Sequence, residues 1–445
     1  MTFEIISAVN IKSNLKDYTA TYNTFNWQET EKNFTWYNTN KVNIAYEAID
    51  RHANSNRRNK IALHYKDFYR TESYTFFDLM ELSNRAGNIL KTKANVKKGD
   101  NVFIFMPRTP ELYILLLGTV KLGAIIGPLF EIFMEDALRV RLENSQAKVL
   151  ITTPELLKRV PLTDLPSIES IVLVGENIEE KNKFIDYYKE MKTVSRPFDL
   201  EWVDREDGYI IHYTSGSTGK PKGVCLTHNS MIQLYQTAKW VLDLKDDDIY
   251  WCTADPGWVT GTTYGILAPW LLGVTSVVTG DRFNPDVWYK LIEEYNVNVW
   301  YSAPTAFRML MGANEEVTNK YDLSSLRNIL SVGEPLNPEV IRWALKVFRL
   351  PIHDTWFMTE TGAQIICNYP CMDIRLGSMG KPIPGIEAAI VDNNGKELPP
   401  LTKGNLAIKK YWPSIMRMIW QNKEKYDSYF IEDWYISGDS AYMDE

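Results

Sequence analysis

The sequence predicts an α/β protein whose mostly parallel sheets are covered by helices, and three observations carry that prediction. From about residue 100, short apolar runs alternate with amphipathic stretches of helical length, the rhythm of strands crossing over through helices. The rhythm pauses in a polar, charge-rich passage from Asn177 to Glu206 and then starts again, so two such series are expected. At 445 residues, with 45% hydrophobic and 24% charged side chains, the chain is long enough for several domain-sized units of ordinary globular composition.

In order, "NVFIFMP" reads as a strand, "PELYILLLGTVKLGA" as a helix, "IIGPLF" as a strand and "MEDALRVRLENS" as a helix, with "KVLITT" and "SIVLVGE" continuing the series. The second series opens with "YIIHY" and "GVCLT" as strands, followed by the helix "NSMIQLYQTAKWVLDL" with Asn229 or Ser230 as N-cap. "VTSVVTG", "VNVWYSAP", "NILSVGEP" and "PIHDTW" are further strands, separated by helical patterns such as "PDVWYKLIEEY" and "PEVIRWALKVF". Past Gly377 short strand-like pieces separated by Gly, Pro and Asn indicate a smaller β unit of barrel-like character. The expected divisions are an N-terminal extension over 1–70, a first α/β subdomain over 71–205, a second carrying the site over 206–376, and the small β unit over 377–445.

Charge and cysteine content exclude several functions. A formal net charge of -7 argues against an overall nucleic-acid footprint, so any polyanion is bound locally. The four cysteines, Cys225, Cys252, Cys367 and Cys371, lack paired metal spacing and fit a reduced, cytoplasmic setting. The N-terminus lacks a basic flank followed by an apolar core. The apolar run from Leu112 is broken by Lys121, glycines and Pro128, and reads as a buried helix and strand rather than a membrane span. His52, His64, His212, His228 and His353 are scattered without metal spacing and read as structural.

The most distinctive stretch is "YTSGSTGKPKG". Thr214, Ser215, Gly216, Ser217, Thr218, Gly219, Lys220 and Lys222 combine backbone N–H groups freed by glycine, hydroxyl donors and two ammonium groups, which together suit phosphate. A Walker loop does not fit, because Pro221 stands five residues after Gly216 and the strand-like "VCLT" follows where a helix should open.

This motif resembles the phosphate-binding signature of the acyl-adenylate-forming enzymes, which include acyl-CoA synthetases, luciferases and peptide-synthetase adenylation domains. "YWCTADPGWVTG", "YSAPTAFRML", "SVGEPLNPE", "DTWFMTETG" and "YISGD" resemble further family segments in order, and the first and third are similar to the acetyl-CoA synthetase branch. The resemblance implies the large N-terminal body of that fold and a two-step ligase using ATP, magnesium and CoA. A carboxylate, acetate first and propionate close behind, becomes acyl-AMP with release of pyrophosphate, and the thiol of CoA then displaces AMP.

It further implies residue roles. The loop holds the departing phosphates, and Thr359 and Glu360 are the catalytic pair contacting the α-phosphate and magnesium. Gly333, Glu334 and Pro335 lie on one side of adenine, Asp354, Thr355 and Trp356 on the other, with Phe357 and Met358 adjoining, and Asp439 accepts the ribose hydroxyls. Val259, Thr260, Val332 and Phe357 line the acyl pocket. Relatives commonly carry Trp where Phe357 stands, so a slightly deeper pocket is expected here. Thr260 and Ala303 resemble CoA contacts, and Arg108 and Lys158 are candidates for its phosphates.

The sequence ends at "YISGDSAYMDE", before the Gly-Arg-x-x-Asp hinge and the C-terminal lid domain of the family, whose lysine serves adenylation. The expectation is that this polypeptide binds nucleotide while adenylation, and thioester formation more so, is impaired. A nucleotide- or acyl-binding module without turnover, a short- or medium-chain acyl-CoA synthetase, and a phosphotransferase are the alternative readings. No nucleic-acid or membrane partner is expected.

Overall fold

Two large sheets take up most of the strands and bring the ends of their parallel strands to one cleft. The computed structural model describes the chain except residues 1–3, 9–11, 40, 177, 179–182, 216–218, 314 and 445. The first sheet has eight strands, in the order Met418–Ile419, Lys222–Thr227, Gly208–Thr214, Ile125–Leu129, Asn101–Phe105, Val149–Thr152, Ser170–Leu173 and Phe184–Asp186. From Gly208–Thr214 onward its neighbours run parallel, and Lys222–Thr227 turns back antiparallel with Thr214 opposite Lys222. Every residue of Asn101–Phe105 and Ile125–Leu129 is buried, as expected for strands covered by helices on both faces.

The second sheet has nine strands. Its parallel centre is Ile352–Trp356, Asn328–Val332, Val299–Ser302, Ile249–Cys252, Thr275–Thr279 and Ile61–Lys66. The hairpin of Gly208–Thr214 and Lys222–Thr227 thus belongs to the first sheet, and Ile61–Lys66 to the second. The divisions read from the sequence at 205/206 and 70/71 therefore do not fall between sheets. Hydrophobic patterning marks where strands lie but not which chain-distant strands pair. A four-stranded antiparallel sheet, Ala388–Val391, Gly404–Lys409, Trp434–Ala441 and Phe430–Ile431, forms the small β unit.

The helices start and stop where their side chains dictate. Pro285–Tyr295 begins at Asn284, whose side chain accepts from the N–H groups of Asp286 and Val287, and ends at Asn296 in the left-handed region. Pro338–Phe348 repeats the scheme with Asn337 and Arg349. Pro110–Lys121 has proline in its first turn and is buried throughout, packed between the sheet and the helix Phe76–Thr92. Met231–Trp240 departs from expectation. Ser230 precedes it in helical conformation without a side-chain cap, because a single 3-10 turn, His228–Ser230, leads in and the Ser230 hydroxyl donates to Thr227 O at 2.6 Å.

The N-terminal segment is tied to the body by polar and apolar contacts. Ile5–Ile6 pairs with Ile374–Arg375, and the Tyr18 hydroxyl donates to Pro382 O at 2.8 Å. Lys121, fully buried, meets Asp50 at 2.6 Å.

Candidate functional site

A cavity of about 920 Å3 lies beyond the carboxyl ends of strands from both sheets, where open parallel sheets place their ligands. The first sheet supplies Arg108, Phe130, Thr214, Ser215 and Lys222; the second supplies Thr253, Thr279, Ala303, Val332, Gly333 and the run Phe357 to Glu360. Val259 and Thr260 enter from a short helix whose packing depends on Gly261. A Cβ there would stand 2.0 Å from Asp255 O, so only glycine lets the helix rest on the Asp255 turn.

At the charged end, Lys222 and Glu360 form an ion pair at 2.8 Å, almost sealed from solvent. Tyr429 joins them: its hydroxyl lies 3.2 Å from Glu360 Oε1 and also meets the Lys222 ammonium, whose charge faces the tyrosine ring. Thr214 lines the same end, and its buried hydroxyl oxygen has no partner among the described residues. A carboxylate, an unpartnered hydroxyl and an ammonium suit a magnesium–phosphate pair, since hard cations take oxygen ligands and phosphate takes cationic donors. Among the described residues no group of three or more His, Cys, Asp or Glu side chains forms a metal site by itself, so phosphate or water oxygens would complete the shell.

The apolar end is closed by Val332 and Phe357, 5% and 9% exposed, with Val259 and Thr260 beside them. On the rim, Glu334 accepts from Thr305 at 2.6 and 2.8 Å and pairs with Arg308 at 2.7 Å. Burial is the largest single influence and pushes its pKa up, but Thr305 and Arg308 together outweigh it and hold the carboxyl below its ordinary range. Arg108 donates to Thr253 O at 3.0 Å. Burial pushes the Asp255 carboxyl up, against the pull of Arg108.

The sequence-derived residues divide accordingly. Thr214, Ser215, Lys222, Val259, Thr260, Ala303, Val332, Gly333, Glu334, Phe357, Met358, Thr359 and Glu360 line this one cavity. Gly216, Ser217 and Thr218 lie outside the described residues. Gly219 turns with φ +82° and Lys220 opens onto a separate cavity of about 410 Å3 beside Trp420. Pro335 is exposed next to Glu334. Asp354 and Thr355 are buried in the strand below, Thr355 donating to Ser331 O at 2.7 Å. Trp356 Nε1 donates to Asp439 Oδ2 at 2.9 Å, which links two segments assigned separately to the nucleotide. Lys158 pairs with Glu155 on the surface and does not reach the cavity, whereas Arg108 does. His212 is fully buried, its pKa driven to about 3 by burial against a weaker pull from Gly257 O, with Nε2 2.7 Å from Thr262 Oγ1. All four cysteines are free. No helix among the described residues is long and apolar enough to cross a membrane.

Sequence reasoning did not find Tyr429, which reaches Lys222 from 207 positions away, nor the Thr305–Arg308 clasp on Glu334. No local pattern marks a tyrosine as the bridge of an ion pair. Arg308 sits within "YSAPTAFRML", so that motif offered the one available signal.

A model of the family described as AMP-binding enzyme matches residues 49–420. The chain is 64% identical over 446 residues to acetyl-coenzyme A synthetase of Bacillus subtilis, an alignment covering 100% of this chain and 78% of that protein. It is 38% identical over 429 residues to acetyl-coenzyme A synthetase of Pyrobaculum aerophilum, covering 88% of this chain and 64% of the relative. Among solved structures, Brucella canis acyl-CoA synthetase matches with a TM-score of 0.90 at 29% identity, over 97% of this chain and 78% of that one.

Proposed function

This chain belongs to the AMP-binding enzyme family, and from that premise we propose that it is an acetate–CoA ligase, which activates the acid as acyl-AMP and passes it to CoA. Acetate is the preferred acid and propionate the next. The carboxylate oxygen attacks the α-phosphorus of ATP, the bond to the β-phosphate oxygen breaks, and pyrophosphate leaves; the sulfur of CoA then attacks the acyl carbonyl and AMP departs. One observation carries the reading. A single cavity has Lys222, Glu360, Thr214 and Thr359 at one end and Val332 and Phe357 at the other, so a phosphate and a short apolar chain can be held together.

Each residue's role follows from its surroundings. Lys222 and the hydroxyls of Thr214 and Ser215 hold the phosphates, and backbone N–H groups of the loop add donors. Thr359 donates to the α-phosphate and Glu360 holds magnesium. Magnesium, when bound, neutralises phosphate charge in the transition state. Gly333 to Pro335 and Asp354 to Trp356 flank adenine, and Asp439, anchored by Trp356, receives the ribose hydroxyls. No side chain needs to act as base in the first step, because the acid enters ionised. Thr260 and Ala303 border the path of the thiol. Arg108, the one candidate cation for CoA that reaches the cavity, stands nearby.

The test is acetate-dependent exchange of labelled pyrophosphate into ATP, with chemical trapping of acetyl-AMP. Exchange with acetate and weaker exchange with propionate is the expected result. Saturable ATP binding without acyl-AMP makes the chain a binding module, and a preference for butyrate or longer acids overturns the pocket assignment.

A further inference from the structure

Behind the Phe357 ring stands a tyrosine that does not itself border the cavity. Tyr264 is fully buried and meets Phe357 edge to face, with ring centroids 5.3 Å apart. Its hydroxyl is fixed from two sides: it accepts from the Gln364 N–H at 2.8 Å and shares a 2.8 Å hydrogen bond with Thr237. The Gln364 side-chain amide donates to the Tyr301 hydroxyl at 3.0 Å, and that hydroxyl shares a 2.7 Å bond with Thr355. The wall behind the apolar end is therefore tied together by hydroxyl bonds that run from Thr237 through Tyr264 and Gln364 to Tyr301 and Thr355. Tyr264 also lies in a π-helical stretch, Thr263–Leu267, directly after the Val259–Thr262 turn that borders the cavity. Such wide turns are frequent at functional sites.

A phenyl ring held only by apolar neighbours can change rotamer into any void behind it. A tyrosine whose hydroxyl is bonded on two sides cannot yield without leaving buried polar groups unsatisfied. We propose that Tyr264 is a specificity-determining positioning residue: by bracing the Phe357 ring it fixes the depth of the cavity and hence the length of acyl chain admitted. This rests on the reading of Phe357 as the floor of the acyl pocket.

The experiment measures equilibrium binding of acetyl-, propionyl- and butyryl-sulfamoyl adenosine, stable mimics of acyl-AMP, with AMP as a control for the nucleotide end. In Tyr264→Ala the Phe357 ring can retreat, and the butyryl-to-acetyl affinity ratio is expected to rise about tenfold, the scale of one or two methylenes in an apolar pocket, while AMP affinity holds. Tyr264→Phe keeps the ring and removes only the hydroxyl bonds; the ratio is expected to move the same way by less. If both variants bind the three mimics in the unaltered ratio, or if all mimics and AMP weaken alike, the proposal is overturned. Failure of the unsubstituted chain to bind any mimic overturns the functional reading, and this inference with it.

Discussion

The two ends of the cavity are built on different principles. At the charged end, Lys222, Glu360 and Tyr429 come from three distant parts of the chain and satisfy one another, so a ligand must exchange a bond that already exists. At the apolar end, Val332 and Phe357 need no partner and are fixed by what packs behind them. Electrostatic exchange governs how fast charge can be moved; packing governs which chain fits. The two properties should be separable by substitution.

The largest effect is expected at the charged end. Glu360→Gln removes the charge that balances Lys222 and the ligand that suits magnesium, and pyrophosphate exchange should fall by about a hundredfold or more, the scale of losing one preorganised electrostatic contact. The ratio of acetate to propionate rates should stay within about twofold, because a methylene is discriminated only where it is bound. A shifted ratio would show that the ends are coupled.

Phe357→Trp probes the other end and should do the reverse. Filling the floor with an indole is expected to raise the acetate-to-propionate ratio of kcat/KM by about tenfold. Exchange with acetate should change only a few-fold, since Lys222 and Glu360 are untouched. A large loss with both acids would mean that the added ring volume disturbs Thr359, two residues on.

Much of this was legible in the sequence, and what escaped has a physical reason. Helices Pro285–Tyr295 and Pro338–Phe348 were read to the residue, because Asn caps, first-turn prolines and apolar periodicity all act locally. The family resemblance drawn from "YTSGSTGKPKG" and its companions is borne out by the match over residues 49–420. The sheet to which the hairpin belongs was not legible, since hydrogen bonding of Ile210 beside Ile126 joins residues that share no local pattern. Tyr429 and Tyr264 escaped for the same reason. A buried tyrosine looks like core until the partner of its hydroxyl is known.

Asp354, buried beneath the nucleotide end, gives the smallest effect in this series, and it is read as stability. It sits in the strand Ile352–Trp356, which leads into both ends of the cavity. Burial lifts its carboxyl to about 7, against a single opposing N–H from Thr355 at 3.0 Å. A raised carboxyl keeps its proton in the folded chain after the unfolded chain has lost it at about pH 4, so between about pH 4 and 7 this group costs stability as pH rises, at about 1.4 kcal/mol per unit. Buried histidines act in the opposite sense. Burial depresses His52, His212 and His228 to about 3 and His353 to about 4, so they contribute stability above about pH 6.5 that is lost as the pH falls from there toward about 3 to 4. The histidines thus oppose Asp354 on acidification, and the carboxyl's share appears only by difference. In thermal melts, Asp354→Asn should gain on the unsubstituted chain steadily from about pH 4 to 7 and keep a constant margin above. A margin independent of pH would mean that Asp354 is ionised in the folded chain throughout, and that the strand joining the two ends carries a charge after all.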